Sequence, residues 1–407
     1  MKIYISGISG TGMGPLALMA KNAGFEVVGS DLAAGAIYDE LIKNDIDVKI
    51  GPQDGEFLQS QIDSIDWFVH TSALPADHPE LILAESAGIK CTKRDELTAF
   101  LVEKLGLKMV AVAGTHGKTT TTSMIVWAAL KLGLPVSYII GTTIGFAPSG
   151  AYHPGDKYFV YEADEYDRNF LKYHPWLSVI PFVSYDHPDI YPTKEDYIAA
   201  FEQFKKQSER VIEKSEMFKP EDFSLAGAAR RTDASLAAEA ACIMNMQDAE
   251  DKSVIDILNE FPGAGRRFER IADGVYTDYA HHPEEIAATI EMAVEEAKIR
   301  GLNDVVVIYQ PHQNTRQHEV LHGYRNAFDG AKKVFWLPTY LTREDPTLTI
   351  LKPEDLIAEL ENPSIAEPAE LGDELAERIR EYQKSGSLVL LMTAGPADTW
   401  LRQNFSE

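Results

Sequence analysis

The 407-residue chain carries 63 acidic and 38 basic side chains, a net charge of 38 − 63 = −25, and a field of that sign excludes nucleic acid and anionic membrane surfaces as general partners. Its length predicts two or three domains. With 45% hydrophobic residues it is no disordered chain, and two cysteines, Cys91 and Cys242, exclude a disulfide framework. No basic leader with an apolar signal core precedes the first strand, and no uncharged apolar run reaches membrane-spanning length, so a cytoplasmic protein with no membrane partner is expected, as a monomer or weak homodimer.

Met1 to Ser6 reads as a short strand, and Gly7-Ile-Ser-Gly10-Thr11-Gly12-Met-Gly14 leads from it into a helical run. Strand, glycine turn and helix open a dinucleotide-type fold, in which backbone N–H groups meet a diphosphate. About twenty residues on, Phe25 to Asp31 ends a second strand in a carboxylate, where such folds bind a ribose hydroxyl. A third strand, from Trp67, ends in Thr71-Ser72-Ala73 and adds a wall to the same crevice. Nicotinamide chemistry is not implied, because the fold binds a nucleotide diphosphate with or without it.

Lys108 to Ala113 is an apolar strand that stops at Gly114-Thr115-His116-Gly117-Lys118-Thr119-Thr120. These residues read as a phosphate-binding loop: glycine amides close around phosphate oxygens, Lys118 supplies a point charge and the Thr119 hydroxyl suits Mg²⁺. Its spacing departs from the common form, with Val112 where the first glycine would fall. The strand from Lys157 ends in Glu162-Ala-Asp164-Glu165-Tyr-Asp167, and the strand from Leu177 ends in Asp186-His187. Phosphates on a loop need a divalent cation with oxygen ligands from neighbouring strand ends, so Lys118, Glu162 and His187 are predicted to share one rim. Pro181 predicts an edge position or a bulge for its strand. A helix is expected over Tyr197 to Glu213, and Thr232 or Asp233 is expected to cap an alanine-rich helix through Ile243.

After Gly263-Ala-Gly265 come strands from Val275, Asp304, Lys333 and Ser387, each followed by polar residues. The richest of these ends are Asp278-Tyr279-Ala-His281-His282-Pro283 and Gln310-Pro-His312-Gln313-Asn314-Thr-Arg316. Strands alternating with helices predict a parallel sheet whose ligand edge lies at the carboxyl ends. Recognition of a small polar substrate fits these side chains better than zinc, for which no third ligand is visible.

Taken in order, Gly7 to Gly14, Ser30-Asp31, Thr71 to Ala73, Ala113 to Thr122, Glu162 to Asp167, Asp186-His187, Arg266-Arg267-Phe268, Asp278 to Pro283 and Gln310 to Arg316 make the chain resemble the Mur ligases over nearly its whole length. These are ATP-dependent enzymes that add amino acids or peptides to UDP-N-acetylmuramic acid in peptidoglycan synthesis. The resemblance implies an α/β protein of three domains. Residues 1–104 would form a Rossmann-like UDP-sugar domain, 105–262 a shortened, mostly parallel P-loop ATP domain, and 263–407 a Rossmann-like amino-acid domain.

It implies that Gly10, Thr11, Gly12, Asp31 and Ser72 bind the UDP sugar, that Gly114 to Thr120 bind ATP, and that Thr119, Glu162 and His187 hold Mg²⁺. Tyr279, His281, His312 and Arg316 would hold the amino acid, with Arg267 near the nucleotide. Lys118 would act on the transferring phosphate, and His187 or His281 would take the amine proton. The implied substrates are UDP-N-acetylmuramate and L-alanine, with murein tripeptide, or a catalytically impaired nucleotide-binding protein, as alternatives. The chain departs from the family in having Asp233 where asparagine is usual, which leaves the grip on adenine open, and Gln313 where arginine flanks the histidine.

Overall fold

Three sheets organise the chain, each built where short apolar runs stop at glycine, hydroxyl or acidic residues. The computed structural model describes all residues except 36, 72–73, 188–189, 247–251, 343 and 406–407. In the first sheet β1 (Lys2–Ser6), β2 (Glu26–Asp31), β3 (Asp47–Ile50), β4 (Trp67–His70) and β5 (Lys90–Lys93) lie in the order β3-β2-β1-β4-β5. All its pairs are parallel. The strand order reverses beside β1, so the glycine turn that follows β1 opens at the switch point where such sheets bind ligands.

The second sheet joins β6 (Lys108–Val112), β7 (Val136–Ile139), β8 (Gly150–Ala151), β9 (Tyr158–Glu162), β10 (Leu177–Val179) and β11 (Val211–Ile212) in the order β11-β10-β6-β9-β7-β8. Only β8 runs antiparallel. Because β6 lies between β10 and β9, the loop after it is flanked by the two strand ends that carry His187 and Glu162. The third sheet has β12 (Glu269–Ala272), β13 (Val275–Asp278), β14 (Asp304–Gln310), β15 (Lys333–Trp336), β16 (Ala366–Pro368) and β17 (Ser387–Thr393) in the order β12-β13-β17-β14-β15-β16. Here only the edge strand β12 is antiparallel.

Packing divides the chain into two compact units, Met1–Phe223 with Thr232–Phe261, and Ser224–Arg231 with Pro262–Glu407. In the first, one apolar core runs beneath both sheets and includes Ile3, Ile5, Leu97, Leu101, Phe159, Phe170 and Phe204, all fully buried. Burying side chains of this size contributes about 1.5–3 kcal/mol each, so the core fixes where the strand ends fall. Among the described residues no helix is long and apolar enough to cross a membrane.

The predicted fold class holds, with several local corrections. Pro181 lies beyond the end of β10, and β10 is an interior strand between β6 and β11. The helix expected to run to Glu213 ends at Gln207, because the Ser208 hydroxyl bonds Ser178 Oγ at 2.6 Å and the chain then joins the sheet as β11. Its start is capped by Thr193, which accepts from the Asp196 N–H. The alanine-rich helix runs from Ala228 to Met244, so Thr232 and Asp233 lie inside it rather than at its cap. Its start follows Gly227, at φ +89°, whose N–H donates to Glu295 Oε2 at 2.8 Å.

Candidate active site

At the end of β1 the glycine turn is held from two sides. Asp31, at the end of β2, accepts from the Ser9 N–H at 2.8 Å, so the carboxylate expected to meet a ribose also fixes the turn. Beneath them Glu80, 1% exposed, accepts from Tyr4 Oη at 2.6 Å, Ser6 Oγ at 2.7 Å and Ser30 Oγ at 2.6 Å. A buried carboxylate satisfied by three hydroxyls ties the ends of β1 and β2 together, and nothing in the sequence marks it beyond a glutamate after Pro79. Gly10, Thr11 and Gly12 line the exposed lip of the turn. Ser72 lies outside the described residues.

The phosphate loop has a shape only glycine allows at two points. Gly114 is at φ +155° with the Phe182 carbonyl 2.7 Å from where a Cβ would stand. Gly117, at φ +82°, has Asp233 Oδ1 at 2.8 Å and Pro181 Cβ at 2.9 Å from that position. Between them the Thr115 hydroxyl donates to the Ser184 carbonyl at 2.7 Å and accepts from its N–H at 2.9 Å, which pins the loop to the chain after β10. The His116 ring stacks on Phe182 at 5.9 Å. Lys118 opens the helix Lys118–Lys131, with Thr120 in its first turn. Gly117→Ala therefore combines a left-handed alanine with a clash, and we expect it to lower stability by about 1–3 kcal/mol and weaken ATP binding together. An unchanged melting temperature would contradict this loop geometry.

Lys118 Nζ donates to the Gly114 carbonyl at 2.5 Å and to Glu165 Oε1 at 3.0 Å, with Glu165 Oε2 at 2.8 Å. Burial alone would push the Lys118 ammonium down, yet the Glu165 carboxylate outweighs it and holds the pKa above the ordinary value. Glu165 is 1% exposed, and burial raises its own pKa against the pull of Lys118. The only sequence signal of this partner is the run of four carboxylates from Glu162 to Asp167, which does not single out Glu165. Thr119 Oγ1 lies 3.0 Å from Glu162 Oε1. His187 Nε2 faces Glu165 Oε1 and Asp186 Oδ2, each at 3.7 Å, so it shares the rim with Lys118 through Glu165.

Among the described residues no group of three His, Cys, Asp or Glu side chains could hold a metal ion. The hydroxyl of Thr119 beside the carboxylate of Glu162 does fit a Mg²⁺ that takes its other oxygens from phosphates and water.

In the second unit the ends of β13, β14 and β15 bring together Tyr279, His281, His312, Arg316 and Tyr340. Arg316 Nη1 bonds His281 Nε2. His281 Nδ1 lies 3.1 Å from the Tyr279 carbonyl and 3.3 Å from Glu285. With its Nε2 facing a guanidinium, His281 is a neutral ring protonated at Nδ1, and burial lowers its pKa further. His312 stacks on Tyr340 at 5.8 Å and meets His281 edge-on at the same distance. Burial, His281 and Arg316 push its pKa down to about 4.

The buried Nδ1 of His312 has no hydrogen-bond partner among the described residues, which leaves it open to a polar group of a ligand. Arg266 and Arg267 each lie 4.7 Å over the Tyr279 ring. His282, one of the tandem histidines, caps the helix Pro283–Ile299 instead of facing a metal.

A phosphate loop with a charged lysine and an adjoining hydroxyl–carboxylate pair, on a protein of three nucleotide-type sheets, defines a nucleotide-dependent enzyme. Residues 2–104 match the Mur ligase family catalytic domain, 112–212 the Mur ligase middle domain and 266–395 the Mur ligase glutamate ligase domain. A UDP-N-acetylmuramate–L-alanine ligase of Kineococcus radiotolerans is 32% identical over 85% of this chain and 83% of its own length. One from Paenarthrobacter aurescens is 30% identical over 97% and 94%.

The chain belongs to the Mur ligase family. Its fold is that of the UDP-N-acetylmuramate–alanine ligase of Thermotoga maritima, with a TM-score of 0.75 at 23% identity over 99% of this chain and 98% of that one. A murein peptide ligase of Psychrobacter arcticus shares it with a TM-score of 0.59 at 22% identity over the same shares.

Proposed function

We propose that the chain is an ATP-dependent ligase that joins the carboxylate of UDP-N-acetylmuramate to the amine of L-alanine in peptidoglycan synthesis. The relatives that are 30% and 32% identical act on this pair by name. The observation that carries the chemistry is Lys118, kept charged by Glu165 at the mouth of a loop shaped for phosphate.

A carboxylate is too poor an electrophile to form an amide directly, so it first takes the γ-phosphoryl group of ATP to become an acyl phosphate. Lys118 neutralises charge on the transferring group, and positioning with electrostatics carries most of such a step. Mg²⁺, when bound by Thr119 and Glu162 with His187 on the same rim, adds a second positive charge at the phosphates. The loop amides of Gly114 to Thr120 orient ATP, while Gly10, Thr11, Gly12 and Asp31 seat the UDP sugar.

In the amino-acid site Arg316 would grip the carboxylate of alanine beside Tyr279 and His312. Its neutral amine attacks the acyl carbon, phosphate leaves, and one amine proton passes to a base, for which His281 or His187 is assigned. Arg267 would stand near the nucleotide. Residues 1–104, 105–262 and 263–407 are the three working domains, and a cytoplasmic monomer or weak homodimer without membrane or nucleic-acid partners fits the charge of the chain.

A second reading takes murein tripeptide in place of alanine, because Glu162 to Asp167 resembles the tripeptide branch and murein peptide ligases share the fold. Phosphate release with ATP, Mg²⁺ and UDP-N-acetylmuramate, compared between L-alanine and tripeptide, separates the two. Faster release with alanine supports the first, and preference for the tripeptide overturns it.

A further inference from the structure

We infer that Arg94 is a diphosphate-binding residue of the nucleotide-sugar site, a role that rests on the ligase reading above. Arg94 opens the helix Arg94–Leu105 just after β5. Its Nη1 lies against the glycine turn, 2.8 Å from where a Cβ on Gly12 would stand. Any side chain at position 12 would displace the guanidinium, so glycine here keeps Arg94 at the lip of the turn as well as giving the backbone room.

The guanidinium is poorly occupied where it stands. Its ion pair is Nε to Asp95 Oδ1 at 4.0 Å, beyond hydrogen-bond reach, and the side chain is 31% exposed. No hydrogen bond from Nη1 or Nη2 exists among the described residues. Next to it, the Thr11 and Gly12 N–H groups also lack an acceptor among the described residues, whereas Gly10 N–H donates to the Gly7 carbonyl at 3.1 Å. Two backbone donors and a guanidinium, without acceptors among the described residues and side by side at the glycine turn, form a receptor for an anion with several oxygens.

What surrounds Arg94 fixes it in that pose. Asp95 is buried and accepts from Tyr173 Oη at 2.9 Å. The Asp164 carboxylate, just past the end of β9, adds an opposite charge that favours the charged guanidinium. The charge thus faces the turn from a rigid base. Of the anions in a nucleotide sugar, the diphosphate is the one a glycine turn after β1 presents to it, since the sugar carboxylate must reach the γ-phosphoryl group of ATP at the phosphate loop. Arginine suits this task better than lysine because its planar fork meets two oxygens together.

Calorimetric titration of UDP and of uridine into wild type, Arg94→Ala and Arg94→Lys, with melting temperatures recorded for each, tests the assignment. We expect Arg94→Ala to weaken UDP binding by about 10- to 100-fold, to leave uridine binding unchanged, and to raise KM for the UDP sugar with kcat and the KM for ATP nearly constant. Arg94→Lys recovers part of the loss. Equal weakening of UDP and uridine, or a lowered melting temperature with UDP affinity intact, makes Arg94 a structural tie and overturns the proposal. Unchanged UDP affinity with a raised KM for the UDP sugar assigns it to the sugar carboxylate and also overturns it. Absence of UDP binding by the wild type would instead overturn the ligase reading itself.

Discussion

Lys118→Ala should turn over about 10²- to 10³-fold more slowly than the wild type while binding UDP-N-acetylmuramate with unchanged affinity. The removed ammonium acts on the phosphoryl group in flight, so the loss falls on kcat. It also strips the buried Glu165 of its countercharge, which moves the carboxyl pKa further up in the direction that burial already drives it. ATP affinity falls as well, since the loop loses its one point charge. Single-turnover kinetics beside calorimetry with the UDP sugar separates these effects. Equal loss of turnover and UDP-sugar binding would mean that the phosphate loop and the glycine turn do not serve separate ligands.

Arg316→Ala should raise KM for alanine and cut kcat/KM by about 10- to 100-fold, with UDP-sugar binding intact. Arg316 approaches His281 Nε2, so its loss removes both the grip on a carboxylate and the donor that fixes the His281 ring. Lysine at this position keeps the charge without the planar fork and should restore only part of the activity. Steady-state kinetics in alanine at saturating ATP and UDP sugar is the readout. An unchanged KM for alanine would place the amino acid elsewhere.

The parts of this protein that were legible in the sequence are those whose chemistry is local. Gly114, Gly117 and Lys118 lie within five residues of one another, and a strand, a glycine turn and a helix need no distant partner to be recognised. The edges of the sheets were not legible, because β8 and β11 have two residues each and β16 has three, too short to show a period.

Thr232 and Asp233 are good capping types and point to too late a start for the alanine-rich helix, whereas the real start follows Gly227, whose N–H meets the sequence-distant Glu295. Glu165, Glu80 and Arg94 escaped for the same reason: each acts through contacts with residues far along the chain. The sequence marks His312 as a substrate ligand, and only packing against His281 and Tyr340 shows that its Nδ1 is buried without a partner among the described residues.

In the proposed mechanism the loop at Lys118 passes a phosphoryl group to the carboxylate of the UDP sugar. UDP-N-acetylmuramate labelled with ¹⁸O in that carboxylate, incubated with ATP, Mg²⁺ and L-alanine, tests it by mass spectrometry of the released phosphate. Attack of the carboxylate on the γ-phosphorus, followed by loss of phosphate to the amine, predicts one ¹⁸O in each phosphate released. Amide formation with unlabelled phosphate would contradict the account.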